Sequence, residues 1–183
     1  MKLLKLAVTA LFVFGTVINT SAQDENNSHV LGFGVNVINL SDNAFDTDSY
    51  NFLSNLSRVS YDKYLEKGFT IQLAGTVNSL TTAADGTDIE KALYWSTDLS
   101  VKYDLNNLLG ETTQWFDPYV FLGGSYVNVG DLSEGMLNSG AGFNTWFSEN
   151  MGLNLQLSYR KGFSDEVAEH WQPSLGLVYR FGE

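Results

Sequence analysis

The sequence predicts an all-β protein, an eight-stranded antiparallel up-and-down transmembrane β-barrel preceded by a cleavable signal peptide. Three observations carry that expectation. The N-terminus reads as an export signal, and no later apolar stretch is long enough for a spanning helix. Eight segments of about ten residues follow, alternating between apolar and polar side chains. In the clearest of these the apolar face carries no charge at all.

The export signal consists of Lys2 and Lys5, an apolar run from Leu6 to Ile18, and Thr20-Ser21-Ala22 with small residues where a signal peptidase reads. Cleavage is expected after Ala22, dividing the chain into a signal peptide at residues 1–22 and a barrel domain at 23–183. The apolar run is shorter than the roughly 20 residues of a membrane anchor. With no cysteine in the chain, lipid anchoring through a thioether, disulfide frameworks and thiolate chemistry are all excluded. Removal of residues 1–22 leaves 8 basic against 21 acidic residues, a formal charge of −13. No basic footprint for nucleic acid remains.

The segments follow in order. Val30 to Asn39 is loosely patterned, with Gly32 and Gly34 inside it; these glycines sit in a strand rather than ahead of a helix, so they do not form a phosphate loop. Leu56 to Leu65 brings Arg58 and Asp62 onto one face. Phe69 to Asn78 alternates strictly, Phe69, Ile71, Leu73 and Val77 against Thr70, Gln72, Thr76 and Asn78. Trp95 to Asp104 sets Leu99, Val101 and Tyr103 against Asp98, Ser100 and Lys102. In Pro118 to Asn128, Tyr119 and Phe121 share the phase that other segments keep polar; either they fill lumen space beside Gly123 or the phase differs there. Asn138 to Phe147, Met151 to Arg160 and Pro173 to Phe181 complete the set, the last two presenting Leu153, Leu155, Leu157, Leu175 and Leu177 on one side.

The content of the faces decides which one points outward. With the apolar face inward, as in a soluble lipocalin-like binder, the outer surface would be mostly neutral Ser, Thr, Asn and Gln, whereas soluble surfaces carry roughly a quarter to a third charged residues. Charged residues make up 17% of this chain and aromatics 14%. An apolar face turned to lipid around a polar lumen satisfies both sets, with Trp95, Tyr103, Trp146, Tyr159 and Tyr179 expected in the interfacial girdles. Eight strands enclose a lumen that side chains fill, so a plug rather than an open pore is expected. Its expected charge network is Arg58, Asp62, Asp98, Lys102, Arg160 and Arg180, which must be paired because isolated buried charge costs several kcal/mol.

Connections are expected to alternate in length. Leu65 to Gly68 and Ser148 to Asn150 are short, and Ser41 to Asn55, Ser79 to Ala92, Val129 to Leu137 and Ser164 to His170 are long, acidic outside loops. Leu105 to Asp117 breaks the rule by being long on the short side.

Three stretches, Trp115-Phe-Asp-Pro-Tyr-Val-Phe-Leu-Gly-Gly124, Gly140-Ala-Gly-Phe-Asn-Thr-Trp-Phe147 and Ser174-Leu-Gly-Leu-Val-Tyr-Arg-Phe181, resemble the barrels of outer membrane protein A. The resemblance spans nearly all of the chain after the signal. It implies a Gram-negative outer-membrane barrel with both termini in the periplasm and four exposed loops. Gly176, Leu177, Tyr179 and Phe181 look like the assembly signal read by the barrel assembly machinery. Members of the family often continue into a peptidoglycan-binding domain; this chain is then a barrel-only member or a fragment of a longer gene.

The function expected from these residues is non-enzymatic, structural or surface-interacting, with outer-membrane lipid and lipopolysaccharide as surroundings and the loops open to an extracellular partner. No catalytic residue, cofactor or metal is assigned. One alternative is a lipid A-modifying acyl hydrolase or transferase, resting on His170 in the last outside loop beside Ser164, Asp165, Glu166 and Glu169, where nothing in the spacing orients the histidine; the other is a soluble lipocalin-like binder of an apolar ligand. Asp46-Thr-Asp48 and Asp85-Gly-Thr-Asp88 read as solvated loop charge, since neither matches a calcium loop.

Overall fold

The computed structural model describes residues 27–106, 115–164 and 166–182. The expected signal peptide, most of the 105–117 connection and Asp165 lie outside the described residues. None of the described helical structure is long and apolar enough to cross a membrane, a statement that does not bear on strands.

Among the described residues nine strands form one sheet: β1 (His29–Asn39), β2 (Tyr50–Phe52), β3 (Arg58–Glu66), β4 (Phe69–Thr82), β5 (Asp88–Asp104), β6 (Phe116–Val129), β7 (Leu132–Trp146), β8 (Met151–Gly162) and β9 (His170–Phe181). Eight of them run antiparallel in chain order, and β9 pairs back onto β1 from His29↔Phe181 to Asn39↔Trp171, which closes the barrel. Closure removes the free edges that an open sheet would present. The ninth, β2, is a short strand inside the first long connection that pairs with β1 at Val37 to Asn39.

That small strand answers a local problem. β3 begins only at Arg58, so the β1–β3 ladder stops at Gly34↔Arg58 and the rest of β1 loses that neighbour. Asparagine side chains stitch the gap: Asn51 Oδ1 accepts from the Thr81 and Thr82 amides at 2.6 and 2.9 Å, and Asn51 Nδ2 donates to the Thr82 carbonyl at 2.9 Å. Asn78 Nδ2 donates to the Asn36 carbonyl at 3.1 Å and to Asn36 Oδ1 at 2.9 Å. Side-chain amides carry the same donor and acceptor as a peptide group, so they replace the missing rungs.

The outward faces are apolar: Leu99 is 60% exposed, Leu122 57% and Leu177 50%. Two aromatic girdles bound this band, Trp95 with Tyr126 and Tyr159 with Trp171 at the loop end, Phe69 with Tyr103 and Phe116 with Phe143 at the end that carries both termini. Trp146 departs from the expectation. It is 1% exposed and lies inside the lumen, because it shares the inward phase of Asn138 and Asn144.

Two of the expected long loops are mostly strand. β4 continues to Thr82 and β5 starts at Asp88, leaving a connection of residues 83–87, and β6 and β7 meet in a two-residue turn between Val129 and Leu132. Gly130 occupies its first central position at φ 58°, the conformation such hairpin turns demand. Beyond the girdle neither face needs to be apolar, so Ser79, Thr81, Asp88, Glu90 and Lys91 carry no period-two signal although the backbone ladder goes on. At the termini end the Lys67-Gly68 turn joins β3 to β4, with φ 54° and 83°, as a two-residue turn of that type requires.

Candidate functional site: the filled lumen

The lumen is built in layers. Nearest the loop end, Ile38, Leu80, Tyr94, Val127, Met136 and Val167 form a buried apolar cap. All but Val167 come from strands. Glu134 on β7 fixes the loop that supplies it, accepting from the Ser164 amide, from the Ser164 hydroxyl at 3.0 Å and from the Val167 amide at 2.8 Å. Burial pushes the Glu134 carboxyl up, but the amides of Val167 and Ser164 outweigh it and hold the group below its ordinary 4.5.

His170 lies beneath this cap. The sequence places it in the last loop, whereas it is the first residue of β9 and is buried, in phase with Gln172 and Ser174. Its Nδ1 faces the Ala168 carbonyl at 2.8 Å and must carry the proton, so Nε2 accepts from the Tyr94 hydroxyl at 3.0 Å. Both ring nitrogens are therefore engaged, and the nearby Ser164 hydroxyl is committed to Glu134. No serine, histidine and acid in hydrogen-bonded sequence occurs here among the described residues.

The middle layer holds five of the six expected charges in one connected network. Arg160 grips Asp98 with both terminal nitrogens at 2.8 Å, and Arg58 Nη1 reaches the same carboxylate at 3.2 Å. Arg58 also donates to Thr76 Oγ1 at 3.1 Å and to Gln72 Oε1 at 3.4 Å. Gln72 Nε2 passes the chain on to Asp62 at 2.8 Å, which accepts from Lys102 at 2.5 Å. Lys102 stands 4.3 Å from the centre of the Tyr119 ring. The bridging roles of Gln72 and Thr76 are not legible in the sequence, which shows only that they are polar and inward.

Arg180 stands apart at the termini end. Its guanidinium lies 4.3 Å from the Trp146 ring centre, and its Nε donates to the Glu149 carbonyl at 2.5 Å. Trp146 Nε1 in turn donates to Asp117 at 2.5 Å. Val30 and Val178 pack beside Trp146. This floor is an indole that covers the lumen and spends its one donor on a buried acid.

Tyr119 and Phe121 do fill the lumen, both buried, while Val120 and Leu122 face outward. Room for them comes from β7: a Cβ on Gly140 would meet Phe121 Cζ at 2.8 Å, and one on Gly142 the Tyr119 hydroxyl at 2.6 Å. The Tyr119 hydroxyl donates to Gln156 at 3.1 Å and accepts from Asn154 at 2.7 Å, as a buried phenol requires.

The assembly-signal residues lie on β9, with Leu177, Tyr179 and Phe181 exposed on the outer face and Gly176 paired with Gly34 across the closure. The two acidic loop motifs come together, Gly86 packing against Asp48 and Ser49 donating to the Ala84 carbonyl at 3.0 Å. Among the described residues no group of three or more His, Cys, Asp or Glu is placed to hold a metal ion.

No protein-family model and no curated protein matches the sequence. Solved structures do match. OprG, an outer membrane protein from Pseudomonas aeruginosa, is 11% identical over 89% of this chain and 100% of that one, with a TM-score of 0.62. The N-terminal β-barrel domain of Pseudomonas aeruginosa OprF is 18% identical over 85% of this chain and 98% of its own, at 0.57. Neisserial surface protein A is 17% identical over 84% and 96%, at 0.56. With β9 closed on β1, an apolar outer band and a polar lumen, the chain has the eight-stranded β-barrel fold of these outer-membrane proteins.

Proposed function

We propose that the protein is exported by residues 1–22 and resides in the outer membrane as a non-enzymatic barrel with a filled lumen, whose outside loops form a fixed, acidic surface. The observation that carries this reading is the inversion of the two faces: an apolar band outside, interrupted by Lys63 near the termini end, and an ion network inside. A lipocalin needs the opposite arrangement. The termini end then faces the periplasm and the loop end faces outward. There Asp42, Asp46, Asp48, Asp85, Asp88, Glu90, Asp131, Glu166 and Glu169 dominate over Lys91 and Lys161. Lipid and lipopolysaccharide surround the band, β9 supplies the assembly signal, and any extracellular partner meets a negative surface built on strands that project past the lipid.

The test is electrophoretic mobility of membrane-extracted protein in SDS with and without boiling, combined with protease added to intact cells. The expected result is a heat-dependent shift and cleavage confined to residues 40–57, 83–87, 130–131 and 163–169. A heat-insensitive protein in the soluble fraction, or cleavage between residues 105 and 117 on intact cells, overturns the reading.

A further inference from the structure

Among the described residues the outer face between the two girdles carries a single charge, Lys63 on β3. It follows Val59 and Tyr61 in the outward phase and is exposed. Its cross-strand partners are Ile71 on one side and His29 on the other. On the His29 side the wall ends at this row, since β1 begins at His29 and β9 ends at its partner Phe181. A lysine placed so lays its stem along apolar wall and carries its ammonium to headgroup level, where the cost of charge in a barrel's lipid face is small.

Rings from three strands form a shelf beside it. Tyr179 stacks on Phe181 with centroids 6.1 Å apart, Phe181 on His29 at 5.5 Å and His29 on Tyr61 at 5.8 Å. His29 Nδ1 is joined to the Tyr61 hydroxyl at 2.6 Å. With that hydroxyl donating, the proton sits on Nε2, which makes no hydrogen bond among the described residues. Residues opposite each other in an antiparallel pair start about 5 Å apart at Cβ, so the His29 Nε2–H and the Lys63 ammonium are within reach of one group at the rim. Neighbouring acids on β3 are already engaged: Asp62 points inward to Lys102, and Glu66 stands at the turn, 4.0 Å from Lys67. Two donors, one of them charged, thus border an apolar wall of Val59, Ile71 and Leu73, all exposed.

We infer that Lys63 and His29 hold the phosphate of one anionic glycerophospholipid of the periplasmic leaflet, with its acyl chains along Val59, Ile71 and Leu73. The inference rests on the reading above, which puts the apolar band in lipid and the termini end toward the periplasm. A net-negative headgroup is favoured, because the ammonium of a zwitterionic one is repelled by Lys63. A free phosphate ion lacks the apolar half of the contact. The outward lysine at the loop end, Lys161, is paired with Glu169 at 3.1 Å and serves as the control.

Protein extracted from membranes is placed in detergent micelles containing equal amounts of phosphatidylglycerol and phosphatidylcholine with the same acyl chains. Native mass spectrometry then identifies the lipid that stays bound, and each sample is also run in SDS with and without boiling. One phosphatidylglycerol retained in preference to phosphatidylcholine is expected. Lys63→Gln lowers that preference about fivefold, and His29→Phe, which keeps the ring stack, lowers it about twofold. Lys63→Arg retains it, and Lys161→Gln leaves it unchanged. A heat-dependent shift without a phosphatidylglycerol preference overturns the inference and leaves the barrel reading standing. So does a preference that Lys63→Gln leaves intact, the result expected if an acid of the chain already neutralises Lys63. Displacement of the lipid by inorganic phosphate overturns it as well, because the site would then be one for a free anion. A heat-insensitive protein in the soluble fraction overturns both.

Discussion

Asp98 and Asp62 are both buried acids on the lumen face, yet they hold their surroundings differently. Asp98 lies between two guanidinium groups from opposite walls, β3 and β8, and ties the barrel across its interior. Asp62 accepts one ammonium from β5 and one amide from β4, and it borders the cavity at the termini end. The difference teaches which part of the lumen is structural keystone and which part water can enter. When one acid is removed, the cost is set by what happens to the cations left behind, more than by the bond that is lost.

The comparison breaks or holds on paired substitutions. Asp98→Asn leaves two arginines facing each other without an anion, and a loss of about 3–5 kcal/mol is expected. Asp62→Asn leaves Lys102 beside a cavity that admits water and over the Tyr119 ring, so a smaller loss of about 1–3 kcal/mol is expected. Urea unfolding of each variant refolded in detergent measures both. Equal losses, or a larger one for Asp62→Asn, would show that the cavity does not hydrate Lys102 and that the two layers are alike.

A second test asks whether the lumen beside Lys102 is tight on its other side. Lys102 pairs in register with Phe121, and Phe121 sits against Gly140. In Gly140→Ala the new Cβ meets the Leu157 carbonyl at 2.0 Å as well as the Phe121 ring, and overpacking of this kind costs about 1–3 kcal/mol. Gly75 has nothing within 4 Å of such a Cβ, so Gly75→Ala should stay within about 0.5 kcal/mol of the parent. If both substitutions are silent, the lumen is looser than its side-chain contacts imply.

Much of this was legible in the residues. Alternation gave the barrel strands wherever lipid on one side and lumen on the other demand opposite polarity, as in Phe69 to Asn78. It failed where that contrast ends: Ser79 to Thr82 and Asp88 to Lys91 continue the ladder in water with both faces polar. Phase also placed the six lumen charges inward, but phase is one-dimensional and says nothing about which walls face each other. The double use of Asp98 depends on arginines 40 and 62 residues away in sequence, and the bridging by Gln72 and Thr76 on Arg58, 14 and 18 residues away on the neighbouring strand. Trp146 was readable from its parity with Asn144; its aromatic character argued for the girdle instead, because the indole's bond to Asp117 is not visible in the sequence.

The smallest effect belongs to a third acid, Glu134, which binds backbone rather than a cation. Its carboxylate is held below the ordinary 4.5 by the amides of Val167 and Ser164. A group whose pKa is depressed by folding stabilises the folded state at pH above its unfolded value and loses that contribution as pH falls through the folded one. The strap on Val167 should therefore be fully present at neutral pH and weaken only below 4.5. Hydrogen exchange at the Val167 amide reads this directly, with protection expected to fall in that acid range while amides of β4 and β5 stay protected. In Glu134→Gln protection should already be reduced at neutral pH and remain flat on acidification, because the neutral amide accepts more weakly than the carboxylate. Protection that ignores both the acid and the substitution would mean that Val167 is held by the apolar cap alone. The closure at the loop end would then resemble the Trp146 floor, where side-chain packing covers the lumen.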